Sequence, residues 1–152
     1  MKMNTRLATV APELVDWAES LAATRRKTVA CAIAQWACHK THIVNVLGEA
    51  AMQRMLQPTY SATPEDRAML GAKADALDEQ YLSIADQGDV SDRDLCGFEQ
   101  ARALSSLLYS FDAQDLASFC DTLYEAQAVT DDLDAFRQLC GTCSNGYTPG
   151  PE

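Results

Sequence analysis

Positive charge is scarce beyond residue 60. Residues 61–152 hold five Lys/Arg against eighteen Asp/Glu, five minus eighteen or about −13, while residues 1–60 carry seven against four, about +3. So acidic a stretch should repel nucleic acid and anionic membrane, and attract basic proteins or cations. Seven glycines and five prolines are few, and most fall between periodic segments or near the end, so extensive disorder is not expected. No run approaches 18 uncharged apolar residues, which predicts no membrane-spanning helix. There is no glycine-rich phosphate loop. The two histidines, His39 and His42, sit a turn apart with no identifiable Ser or Cys nucleophile, so no catalytic residue is assigned and the chain reads as a non-enzyme.

Length and composition are those of one domain able to bury a core without staples: 152 residues, 47% hydrophobic and 22% charged. Near the start, Glu13 and Asp16 interrupt any apolar segment, so no signal peptide is expected. With that reading the six cysteines are expected to be reduced thiols in the cytoplasm. No cofactor is expected.

Every regular pattern has helical period, and no sustained alternation marks a strand. Helix starts are clear at Thr63-Pro64-Glu65-Asp66, Ser91-Asp92-Arg93-Asp94, Asp112-Ala113-Gln114-Asp115 and Thr130-Asp131-Asp132. Each sets a side-chain acceptor where it can cap the free amides of a first turn. The predicted segments are 12–23, 26–56, 64–87, 92–111, 113–128 and 131–140. They form an all-α, compact bundle of five or six mostly antiparallel helices in one domain over 1–140, with 141–152 as a flexible tail. Val29, Ile33, Trp36, Ile43, Leu47, Ala51 and Met55 make an apolar stripe along 26–56, which marks it as a long central helix. In 64–87, Leu70, Ala74, Leu77, Tyr81 and Ile84 are expected to face inward. Leu95, Phe98, Leu104, Leu108 and Phe111 should supply the next core face, and Leu116, Phe119, Cys120 and Leu123 the one after.

Three constellations could carry function. Opposite the apolar stripe, Cys31, Gln35, Cys38, His42, Asn45 and Glu49 fall on one strip of the expected helix. Cys38 and His42, a turn apart, are its candidate metal ligands, though two ligands do not complete a site. Cys140-Gly141-Thr142-Cys143 has redox-motif spacing but closes a helix instead of opening one, so Gly141 is read as a cap. The basic cluster Arg25-Arg26-Lys27 is expected to pair with acids or to be solvated.

The third is the acidic surface. Half of the eighteen acids sit at helix caps or in first turns, where they serve the fold. Asp75, Asp78, Glu79 and Asp86 remain, sharing one helix face around Leu82. An apolar anchor ringed by acids suits a docking site for a basic protein, with charge steering the encounter and the anchor holding it. The leading expectation is therefore a non-enzymatic acidic binding protein, of toxin-neutralising (immunity-type) or inhibitory kind. The alternative is a helical metal- or redox-active protein using Cys38, His42 and other cysteines.

Overall fold

The computed structural model describes residues 5–57, 59–88, 91–130 and 132–144, with only the backbone of 92–94 and 144. Among these it is all-α, without a strand. In chain order the helices are α1 (Arg6–Val10), α2 (Pro12–Ser20), α3 (Ala23–Lys40), α4 (Val44–Leu47), α5 (Glu49–Met55), α6 (Pro64–Asp86), α7 (Asp92–Ser110), α8 (Leu116–Gln127) and α9 (Leu133–Ser144). No helix among the described residues is long and apolar enough to cross a membrane.

Caps set the starts. The Thr63 hydroxyl accepts from the Asp66 amide at 3.1 Å, with Pro64 at the first helical position of α6. For α9, Asp132 Oδ1 accepts from the Ala135 amide at 3.0 Å; its predicted neighbour Asp131 lies outside the described residues. The α8 start differs from expectation. Asp115, not Asp112, is its N-cap, accepting from the Ser118 amide at 3.1 Å, and Asp112 instead binds Arg67 at 2.8 and 2.9 Å.

The expected long helix is the main correction. Its stretch is central, since α3 packs against α7, α8 and α9, but the chain breaks twice within 26–56. At the first break the Ile43 amide donates to the Cys38 carbonyl at 3.0 Å and the His42 amide to that of His39 at 3.3 Å. This is the paired closure of a Schellman motif, with His42 at the left-handed position (φ 56°) usually taken by glycine. Ile43 is fully buried, as are Ala37 and Cys38 at the end of α3, so apolar burial drives the reversal. The second break is Gly48, whose φ of 85° and ψ of 153° suit glycine.

The Arg25-Arg26-Lys27 cluster closes helices. Arg26 donates to the Leu21 carbonyl at 2.8 Å after α2, and Lys27 to the Ser110 and Phe111 carbonyls at 2.9 and 2.8 Å at the end of α7. Arg25 reaches the Cys143 carbonyl at 3.3 Å in the last turn of α9. One turn of α3 thus satisfies orphan acceptors at three helix ends.

Phe119, Phe136, Leu7, Ile33, Leu70, Leu104 and Leu123 are among the largest fully buried side chains. Trp17 packs on Phe119 and Trp36 on Phe136, with ring centroids 5.7 and 5.8 Å apart. The expected tail begins too early at 141. Helix α9 continues through Gly141 to Ser144 because Cys140 and Cys143, three apart on one face, are both buried. Residues 145–152 lie outside the described residues.

Candidate functional site

Helix α6 packs chiefly on α7, and its two halves differ. Leu70 and Ala74 are its buried residues, whereas Leu77, Tyr81 and Ile84, expected to be inward, are only half-buried. On α7, Leu104 is buried, as is Phe111 just beyond its end, but Phe98 and Leu108 are partly exposed and Leu95 is 41% exposed. The far halves of these two helices form an arm, joined by Tyr81 on Phe98 at 5.0 Å and by Leu77 beside Gly97. In sequence, residues 75–100 hold eight Asp/Glu and one Arg, one minus eight or −7 of the chain's −10.

Asp75, Glu79, Leu82 and Asp86, at spacings of four, three and four, lie along one exposed face of α6 about 16 Å long. Leu82 is 60% exposed, the most of any large apolar side chain described. Asp75, Glu79 and Asp86 have no ion-pair partner among the described residues.

Asp78, the fifth predicted member, is half-buried and committed to the Arg102 guanidinium. Arg102 also donates to Glu125 Oε2 at 3.1 Å, and Arg6 to Glu125 Oε1 at 3.2 Å and to Asp121 at 3.2 Å. The Arg6 guanidinium lies 4.5 Å from the Tyr124 ring centroid. This network ties α1, α6, α7 and α8 together. Desolvation raises the Glu125 carboxyl above its ordinary value, against the pull of Arg102 and Arg6. Arg102 Nε is buried without a hydrogen-bond partner among the described residues. Sequence spacing placed Asp78 near the acidic face but gave no sign of a cation 24 residues away.

The Cys38–His42 pair does not form a ligand set. Cys38 is fully buried with its thiol pushed up to about 12 by desolvation, while His42 is exposed beyond the end of α3. A raised thiol is a poor source of the thiolate that metals bind. Among the described residues there is no group of three or more His, Cys, Asp or Glu that could hold a metal ion. Burial likewise raises Cys140, and Cys143 to about 11, so neither is poised as a redox nucleophile.

The break at 41–48 opens a cleft of about 430 Å³ that periodicity did not foretell. Gln35, Cys38, His39 and His42 line one side; Glu49, Met52, Gln53 and Leu56 from α5 and its end line the other, with Val44 between. The Gln53 amide donates to Glu49 Oε1 at 3.3 Å. A more polar groove of about 600 Å³ lies at the base of the arm, bordered by Asn45, Leu77, Tyr81, Ile84 and Cys96. All six cysteines are free, and Cys96 is the exposed one.

No family model matches this chain, and no curated protein or solved structure does.

Proposed function

We propose that this chain is a non-enzymatic binding protein whose acidic arm docks a basic protein, in a toxin-neutralising (immunity-type) or inhibitory role. The observation that carries the reading is the disposition of the carboxylates. Asp66 binds Arg54, Asp112 binds Arg67, Glu13 and Asp134 bind Arg137, and Asp78 and Glu125 share Arg102. Asp75, Glu79 and Asp86 have no such ion pair among the described residues, and they flank Leu82. Unmatched charge around an exposed leucine supplies steering and an anchor on one face. The metal- or redox-active alternative has less support, because the thiols it needs are buried and raised.

The test is capture of basic proteins at low salt, followed by association kinetics of the purified pair. The on-rate is expected to fall steeply as salt rises. A triple charge reversal at Asp75, Glu79 and Asp86 should slow association at least tenfold, and Leu82→Ala should speed dissociation, costing about 1–2 kcal/mol. Asp78 is left intact, since its loss would disturb Arg102. Binding indifferent to salt and to both variants would refute the reading.

A further inference from the structure

Residues 41–48 are where local sequence and tertiary structure disagree most. The apolar stripe of 26–56 runs on without interruption, yet the backbone turns left-handed at His42 and again at Gly48. Departures of this kind concentrate at functional sites, where the surrounding structure holds a conformation that the local chain disfavours. Here the consequence is the cleft between α3 and α5. A straight helix would carry Glu49, Met52 and Leu56 away from Gln35, Cys38 and His39; the two turns bring them around a common space.

The lining specifies an occupant. Val44, Met52, Leu56 and the neutral Cys38 thiol give an apolar interior able to take a flat hydrocarbon body, and thioethers pack well against rings. His39 and His42 add two imidazoles. Among the described residues Glu49 is the one carboxylate that lines the cleft, and its Oε1 accepts from the Gln53 amide. No Lys or Arg lines the cleft among the described residues, so nothing there answers a phosphate or carboxylate, and the chain's net charge of −10 adds to their exclusion. About 430 Å³ is the size of a small-molecule site, not of a protein-docking surface.

We propose that the cleft between α3 and α5 binds a small aromatic amine, with its ring against Met52 and Leu56 and its ammonium donating to Glu49. This proposal is independent of the acidic arm.

Three probes of nearly the same size and shape separate the contributions: 2-phenylethylamine, 2-phenylethanol and phenylacetate, titrated into the whole protein with NMR detection. Saturable shifts are expected at His39, His42 and the Met52 methyl, strongest for the amine, weaker for the alcohol and weakest for phenylacetate. Glu49→Gln should lower amine affinity by roughly tenfold and leave the alcohol unchanged. Glu49 is exposed, so this variant should fold, and circular dichroism checks that it does. The proposal is overturned if none of the probes saturates, if Glu49→Gln leaves the amine's advantage intact, or if the amine's shifts centre on Asp75, Glu79 and Asp86. The last result would mean diffuse attraction to the acidic arm.

Discussion

Arg102 Nη1 donates to Glu125 Oε2 at 3.1 Å in a part of the core where Glu125 is only 3% exposed. Without Arg102, buried Glu125 would keep only Arg6, and Asp78 would lose its cation. Arg102→Met is therefore expected to destabilise the fold by about 3 kcal/mol in urea titrations, with the slope unchanged. A loss below about 1 kcal/mol would show that water reaches Glu125.

Glu125 and Asp112 should act on the pH profile with opposite signs. Burial raises the Glu125 carboxyl above its ordinary 4.5, so its contribution is full below that value and fades as pH rises through the raised one. Hydrogen bonds from Arg67 hold Asp112 below its ordinary 3.8, so its contribution is full above 3.8 and is lost as pH falls through the lowered value. Stability measured between pH 3 and 7 should respond on the acid side to Arg67→Ala, and above pH 4.5 to Glu125→Gln. The same change of slope in both variants would contradict this assignment.

The two left-handed residues offer a matched pair. His42→Gly keeps the Schellman closure and removes a side chain from a conformation that costs roughly 1 kcal/mol, so the variant should be more stable by up to that amount. Gly48→Ala should be less stable by about 1–3 kcal/mol. No atom within 4 Å would meet the new methyl group, so this cost is one of backbone conformation alone. Thermal melts of both variants settle the point. Equal effects of the same sign would contradict it.

Thiol chemistry should distinguish the cysteines. Cys96 is exposed and should react first with a disulfide reagent, and half-buried Cys31 more slowly. Cys38, pushed up to about 12, and Cys120 and Cys143, each raised to about 11, should react only on unfolding, together with Cys140. Peptide mapping after timed alkylation gives the order directly. Early labelling of Cys140 or Cys143 would show that the end of α9 opens readily.

The arm should exchange its amide hydrogens sooner than the core. Residues 75–86 of α6 include no buried side chain, whereas α8 buries Phe119, Cys120, Leu123 and Ala126. Amides in that part of α6 are thus expected to exchange well before those of α8. Leu70→Ala should cost about 2–5 kcal/mol, and Leu82→Ala almost nothing in the absence of a partner. Uniform protection along α6 would mean that the arm opens only with the whole domain.

The acidic face was readable from spacing, because residues four, three and four apart on any helix share a side, wherever the rest of the chain lies. Asp75, Glu79, Leu82 and Asp86 are exposed as that argument required, while Asp78 was claimed by Arg102 of the neighbouring helix. The cleft left no such trace. Its opening depends on a histidine where a glycine would have signalled the turn, and on Ile43 finding a fully buried position.

Helical class and the starts of α6 and α9 were decided within a few residues of chain, since a cap acts between a side chain and an amide three positions on. The two breaks in 26–56, the loss of Asp78 to an internal ion pair and the burial of Cys38, Cys140 and Cys143 were decided by neighbours far apart in sequence. Desolvation and ion pairing depend on which groups meet in space, and periodicity along one strand of chain carries no record of that.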